Sequence, residues 1–95
     1  MARKQGFLNA QFTERWKESY EALQLAGQDS TDKVVIALLK QRRTPGMRIK
    51  PIEPEKYYFE ARINDGDRLI FRTQDQTVYF VEIVSHDDIG KYSRR

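Results

Sequence analysis

The stretch Tyr57–Phe71, YYFEARINDGDRLIF, has the pattern of two strands joined by a turn, and its alternating residues restrict how those strands can pair. Side chains alternate between the two faces of a strand, and residues paired across a hairpin share a face. A two-residue turn at Asp65-Gly66 would pair Ile63 with Arg68 and mix apolar and charged side chains on both faces. A three-residue turn over Asn64–Gly66, with its glycine left-handed, separates them. Burial favours this longer turn, because a slip of one residue would move the apolar set into water.

The three-residue turn gathers the apolar side chains of the hairpin on one face: Phe59, Ala61, Ile63, Leu69 and Phe71. The next apolar segment, Thr77–Ser85, predicts an interior strand. A three-residue loop over Gln74–Gln76 would pair Arg68 with Glu82 and Phe71 with Tyr79. The opposite face, called the arginine face below, then carries Tyr58, Glu60, Arg62, Arg68, Ile70, Arg72, Glu82, Val84 and His86.

The N-terminal half has helical spacing. A first helix is expected from Asn9, as its cap, to about Leu25, with Gly27 as a stop signal. Its aromatic stripe, with Trp16 at the centre, could meet a partner, although core packing is the commoner role. A second helix, capped by Ser30 or Thr31, is expected over 32–43. Phe7 and Leu8 could form a short edge strand or pack before the first helix.

The segment Met47–Ile52 alternates and predicts a short strand before the hairpin. In the tail, Ile89 and Tyr92 are the residues expected to anchor it. The order of elements therefore predicts an α+β fold, in which an N-terminal helical hairpin packs on a twisted antiparallel sheet of about four strands. Residues 1–95 form one domain in this interpretation.

Composition restricts the class of protein. The chain of 95 residues has no cysteine, which excludes disulfides, thiol nucleophiles and thiolate metal sites. No apolar run is long enough to span a bilayer, and no signal-peptide pattern opens the sequence, so we expect a cytoplasmic protein without membrane function. The net charge of +3 favours an anionic partner only weakly. A stronger signal is the clustering of cations in the middle of the chain: Arg42, Arg43, Arg48, Lys50, Arg62, Arg68 and Arg72.

Two interpretations of the arginine face stay open. It is either the solvated face of an ordinary antiparallel sheet or a surface that binds phosphates and stacks bases, for which arginine, tyrosine and histidine are suited. His86, the single histidine, is either a general acid or base or a strand-end residue without a task. His86-Asp87-Asp88 would not converge on a metal, and no phosphate loop is present, so no metal or cofactor is expected.

Three segments together resemble a known family: PGMRIKPI at 45–52, YYFEARINDGDRLIFR at 57–72 and VYFVEIVSHDDIGKY at 78–92. In order and spacing they are similar to the RelE/ParE superfamily, the toxins of bacterial type II toxin–antitoxin systems. The resemblance covers nearly the whole chain. It implies the RelE-like fold, with a concave basic face on the sheet.

In the RelE branch, the resemblance implies a metal-independent endoribonuclease that cleaves mRNA on the ribosome by attack of a 2′-OH on the adjacent phosphate. Its implied partners are a small acidic antitoxin, mRNA and the ribosome. By position the implied catalytic residues are Arg68, His86, Tyr92 and Lys50, and the implied substrate-binding residues are Arg62, Arg48, Arg72 and Glu60. Ala61 departs from the pattern, since some relatives have a second lysine there. ParE-like members inhibit DNA gyrase instead, and gyrase inhibition or a non-catalytic binding module stays open as the alternative.

Overall fold

The computed structural model describes residues 8–54 and 57–93, which form a mixed sheet with helices before and after its strands. The elements are β1 (Asn9–Phe12), α1 (Glu14–Glu21), α2 (Leu25–Leu39), a 3-10 turn (Pro45–Met47), β2 (Lys50–Pro51), β3 (Phe59–Arg62), β4 (Asp67–Gln74), β5 (Thr77–Ser85), a second 3-10 turn (His86–Asp88) and α3 (Gly90–Ser93). The sheet order is β1-β5-β4-β3-β2, with β1 parallel to β5 and the other pairs antiparallel. The predicted α+β class is confirmed, and the sheet gains a fifth, parallel strand.

The register of the first hairpin is confirmed, but its turn is made differently. Phe59 pairs with Phe71, and Arg62 pairs with Arg68, as the three-residue turn requires. No described glycine has a positive φ, so the expected left-handed Gly66 is wrong. Instead the Asn64 side-chain oxygen accepts hydrogen bonds from the backbone N–H groups of Gly66 (2.9 Å) and Asp67 (2.8 Å). An asparagine side chain that imitates a backbone turn replaces the glycine conformation.

The expected loop between β4 and β5 is wrong. The turn has only two residues, Asp75 and Gln76, both left-handed at φ 52° and 63°, as a type I′ turn requires. Phe71 therefore pairs with Phe80, not with Tyr79. The prediction paired apolar residues of β4 and β5 with one another along one unbroken register. Such a register requires an odd number of residues in the loop.

That register breaks at a β-bulge. Pairing shifts between Ile70 and Phe71, so that Val81 is the extra residue of β5 and Arg68 lies opposite Val84, not Glu82 as expected. The Val81 carbonyl of the bulge accepts a hydrogen bond from the Thr13 hydroxyl at 2.6 Å. The bulge restores the parity that the shorter turn had changed, and Glu82 and Val84 still reach the arginine face.

The predicted boundaries of both helices are wrong. Residues expected in the first helix form β1, because they pair with β5, and α1 begins only after Thr13, whose hydroxyl accepts from Trp16 N at 3.0 Å. Gly27 lies inside α2, which starts seven residues before Asp32 at Leu25. The cap of α2, Gln24, makes no side-chain bond, so the sequence carries no start signal there.

The core lies between the helices and one face of the sheet. Its buried members are Trp16, Val34, Leu38, Met47, Ala61, Leu69, Phe71, Val78, Phe80 and Ile83. Trp16 thus has the expected core role. A smaller cluster on the arginine face contains Ile52, Ile70, Val84 and Tyr92, with Ile89 packed against it, so the predicted anchoring of the tail is confirmed.

Two further expectations are settled in the described residues. The strand predicted over Met47–Ile52 shrinks to Lys50–Pro51, an edge strand on which a proline is tolerated. Leu8 packs against the core, whereas Phe7 lies outside the described residues. In the part of the chain described here, no helix has the length and apolarity to cross a membrane.

Candidate functional site

The arginine face is organised in rows that run across the strands. Register places Arg62, Arg68 and Val84 in one row, and Lys50, Glu60, Ile70 and Glu82 in the next. One step beyond the first row, His86 N donates to the Gly66 carbonyl at 2.9 Å. The structure therefore brings most of the predicted site residues to one face, in an arrangement that follows from strand pairing alone.

Arg68 is held at the centre of the first row by the turn and by a neighbouring carboxylate. Its Nη1 donates to the carbonyls of Asn64 (2.8 Å), Asp65 (3.2 Å) and Asp67 (3.1 Å). Its Nε lies 3.7 Å from Oε1 of Glu60, and the two side chains are 13% and 10% exposed. Nη2 makes no hydrogen bond within the described residues and is left as an unused donor. Arg68 is consequently both a support of the turn and a donor on the face.

Two other candidates flank Arg68 and are more accessible. Arg62 forms an ion pair with Asp65 of the turn, which directs its guanidinium toward the end of the hairpin. His86 begins the 3-10 turn after β5 and is exposed. Its imidazole forms no hydrogen bond or ion pair with the rest of the described chain. An exposed imidazole one step along the sheet from a row of arginines has the chemistry required for proton transfer at a bound phosphate.

Glu82 links the tail to the sheet and to α1, which sequence reasoning missed because it assigned Glu82 to Arg68. Its carboxylate accepts from the Tyr92 hydroxyl (2.5 Å) and from Lys91 Nζ (3.2 Å), and Arg15 lies 3.9 Å away. Burial, followed by the hydrogen bond to Glu82, raises the pKa of Tyr92 well above its ordinary value. Tyr92 therefore stays protonated near neutral pH, so it can orient or stack but cannot serve as a base.

Arg72 occupies the opposite end of the face from His86, among aromatic rings. Its guanidinium lies 4.4 Å from the centre of the Tyr79 ring and 5.1 Å from that of Tyr57. Tyr57 meets Tyr58 edge to face at 4.8 Å, and Tyr58 meets Tyr92 in the same manner at 5.0 Å. We call these five residues the tyrosine–arginine ladder.

The remaining predicted cations lie at or beyond the sheet edge. Lys50 pairs with Glu60 on the edge strand and is exposed on the arginine face. Arg48 is not in the sheet: it ends the 3-10 turn in a left-handed conformation at φ 46°. With Arg43 it lines an open cleft of about 460 Å³ beside Thr44 and Ile49.

Sequence reasoning missed Tyr57 and Tyr79 as members of this surface. Tyr79 was assigned to the core side by the wrong loop length, because the left-handed conformation of Asp75 and Gln76 that makes the shorter turn is visible only in the structure. Tyr57 precedes β3 and has no strand parity to place it. The contacts of both tyrosine rings with Arg72 are visible only in the folded chain.

No protein-family model and no curated protein matches the sequence. Solved structures do match the fold. A copper-bound variant of a Helicobacter pylori toxin superposes with a TM-score of 0.75 at 18% identity, over 85% of this chain and 97% of that one. A chain of the Escherichia coli DinJ–YafQ toxin–antitoxin complex gives 0.74 at 13% identity, over 88% and 96%. A chain of the Mycobacterium tuberculosis toxin–antitoxin complex RelBE2 gives 0.66 at 22% identity, over 92% and 100%.

These similarities cover nearly the full length of each protein compared, and each TM-score corresponds to a shared fold. This chain has the RelE-like fold, as the resemblance of its three sequence segments implied.

Proposed function

We propose that this chain, with its RelE-like fold, is the toxin of a type II toxin–antitoxin system and acts as a metal-independent endoribonuclease on mRNA at the ribosome. The observation that carries the proposal is the exposed, unbonded imidazole of His86 one step along the sheet from the row of Arg62 and Arg68. The fold shared with proteins described as toxins supports the biological role.

The proposed reaction is transfer of a phosphoryl group within the RNA chain. The 2′-oxygen forms a bond to the adjacent phosphorus as its proton passes to a base, and the bond to the 5′-oxygen breaks as that oxygen receives a proton from an acid. The products are a 2′,3′-cyclic phosphate and a 5′-hydroxyl. Such a reaction requires groups that exchange protons and cations that stabilise the charge developing on the phosphate.

The residues of the arginine face have matching properties. His86 is assigned as the acid or base, and the free Nη2 group of Arg68 as the donor to the phosphate oxygens. Arg62 on β3 and Lys50 on β2, both on the same side of Arg68 in the sheet, are assigned assisting roles. Tyr92 is assigned an orienting or stacking role, because the raised pKa of its hydroxyl keeps it protonated.

Three further residues complete the proposed surface. Glu60 holds Arg68 through the contact with Nε, and so acts on the substrate indirectly. Arg72, at the far end of the arginine face, and Arg48, in the 3-10 turn outside the sheet, are assigned to more distant phosphates of the RNA. This division separates the reacting groups from those that hold the strand.

The proposed partner is a small acidic antitoxin. Two of the structural relatives were solved as toxin–antitoxin complexes, DinJ–YafQ and RelBE2. A net charge of +3 and the clustering of cations on the arginine face suit an acidic protein that neutralises this surface.

Primer extension on mRNA from cells expressing the chain tests the proposal. New 5′ ends within codons and arrested growth are expected for the wild type, and His86→Gln should lower cleavage by roughly 10²- to 10⁴-fold. Asp88→Asn, a change at an exposed neighbour in the same 3-10 turn, is the matched control and should cleave normally. A DNA-damage response without new 5′ ends would favour gyrase inhibition, and full cleavage by His86→Gln would remove His86 from the site.

A further inference from the structure

We propose that the outer part of the tyrosine–arginine ladder, formed by Arg72, Tyr57 and Tyr79, is a stacking site for unpaired nucleobases at a distance from His86. This inference rests on the proposed function, since it assigns the ladder to a flanking part of the same single-stranded substrate. The juxtaposition that carries it is Arg72 between the rings of Tyr79 and Tyr57, followed by the edge-to-face contacts that continue to Tyr58 and Tyr92.

The ladder exists because of the short turn and the bulge. The two-residue turn pairs Tyr79 with Arg72, which places both side chains on the arginine face. A continuous register with a three-residue turn would have directed Tyr79 to the core side. Arg72 is steadied further by a hydrogen bond from its Nη1 to the Gln74 side chain at 2.9 Å.

At its outer end the ladder presents aromatic surface that the fold does not bury, whereas Tyr92 at its inner end is buried. Tyr57 is 54% exposed, which is unusual for a large ring that already contacts two other side chains. Tyr79 and Arg72 are only partly covered. Rings and a guanidinium plane that remain open are the surfaces on which bases of single strands stack, whatever their sequence.

The chemistry of the ladder favours nucleic acid over a protein segment. Its only formal charge is the cation of Arg72, and the aliphatic side chains beside it, Ile52, Ile70 and Val84, are buried and so do not form an open groove. A helix of a partner protein would require such a groove. Stacked bases with an attached phosphate chain match exposed rings beside a single guanidinium instead.

Within the ladder, Arg72 lies at the opposite end of β4 from His86. The row of Arg72 and the row of Gly66, where His86 is bonded, are six residues apart, which is about 20 Å along a strand. A base stacked on Tyr79 or Tyr57 therefore belongs to a nucleotide several positions from the phosphate held near His86. Arg72, Tyr57 and Tyr79 would hold the RNA in place rather than take part in the reaction.

Fluorescence anisotropy with two labelled twelve-nucleotide probes tests this assignment. One probe is a mixed-sequence RNA carrying 2′-O-methyl groups, which removes the nucleophile and prevents cleavage. The other has the same phosphates but abasic sugars. The wild type should bind the probe with bases at least about fivefold more tightly, since each stacked base contributes that much or more.

The double variant Tyr57→Leu and Tyr79→Leu should lose this preference while still binding both probes through their phosphates. Tyr20→Leu is the matched control, because Tyr20 packs on the helical side against Trp16, and it should keep the preference. Thermal melts verify that every variant is folded. Because the two probes are compared on the same protein, a loss of stability cannot imitate a loss of stacking.

Two results would overturn the inference. The first is equal binding of the two probes by the wild type. The second is an unchanged preference in the double variant, including a double variant that has lost only the binding of an acidic protein partner. The outcome is separable from that of the proposed function. A wild type that cleaves mRNA without a base preference refutes the ladder alone. A wild type that prefers bases but never cleaves refutes the ribonuclease alone.

Discussion

Replacing Arg68 by alanine should destabilise the fold in addition to removing a phosphate contact. The side chain bonds three carbonyls of the hairpin turn and lies beside Glu60, a carboxylate that is 7% exposed as a residue. Alanine would leave the carbonyls without their cationic donor and Glu60 without its neighbour. A loss of toxicity in this variant is therefore not sufficient to assign a catalytic role.

The size of the effect follows from these contacts. A hydrogen bond to a charged donor contributes about 1.5–3 kcal/mol, and the three carbonyls share one amino group, so together they count as roughly 2–3 kcal/mol. Leaving the Glu60 carboxylate buried and unpaired adds about 1–2 kcal/mol. The expected total of about 3–5 kcal/mol is a large part of the stability of a small domain. It corresponds to a fall in Tm of more than roughly 12 °C.

Urea denaturation of the four proteins of a double-mutant cycle measures both contributions, the bonds of Arg68 to the turn carbonyls and its pairing with Glu60. Arg68→Ala, Glu60→Gln and the double variant are compared with the wild type, and Arg42→Ala serves as a matched control at an exposed arginine. The control should change the free energy of unfolding by less than about 0.5 kcal/mol. Glu60→Gln should cost less in the Arg68→Ala background than alone, with a coupling of about 1–2 kcal/mol.

Arg68→Lys separates charge from geometry. Lysine keeps the positive charge but cannot reach the turn carbonyls and Glu60 with one rigid planar group. It should recover less than half of the stability lost in Arg68→Ala. If Arg68→Ala unfolds with the same midpoint as Arg42→Ala, the contacts of Arg68 are not stabilising and the reasoning is refuted.

Two more predictions concern the bulge and the tail. Thr13→Ala should lower the free energy of unfolding by about 1–2 kcal/mol, because it loses the helix cap and the bond to Val81. The control Thr44→Ala, at a cap position without a side-chain bond, should have little effect in the same urea titration. Tyr92 has a raised pKa in the folded state, so the stability it contributes is complete below pH 10 and declines above it, by up to about 1.4 kcal/mol per pH unit. Melting Tyr92→Phe beside the wild type from pH 8 to 11 checks this, and a difference independent of pH would contradict it.

Local pattern was enough for the parts of the fold in which neighbours in sequence are neighbours in space. The hairpin register followed from the alternation between Ala61 and Phe71, since a single slip would expose every apolar side chain. The interior position of β5 followed from apolar residues on both of its faces. The three segments that resemble the RelE/ParE superfamily implied the same fold that the superposed structures have.

The helical half was less predictable because its boundaries depend on distant partners. Nothing in Asn9–Phe12 distinguishes a strand from the first turn of a helix until β5 supplies the hydrogen bonds. Gly27 has the propensity of a helix stop, yet α2 continues through it because Thr31 and Val34 are buried beyond it. Tertiary packing outweighed a local preference of about 1 kcal/mol in this case.

The sequence by itself determined which residues of the first hairpin share the arginine face, because side-chain parity is a local property of an extended chain. Only the tertiary structure decided which of them touch. The bulge at Val81, supported by Thr13 from a distant part of the chain, moved Glu82 away from Arg68 and toward Tyr92. The physical reason is that parity assigns a side chain to a face, whereas its neighbours on that face depend on hydrogen bonds supplied by residues far away in the sequence.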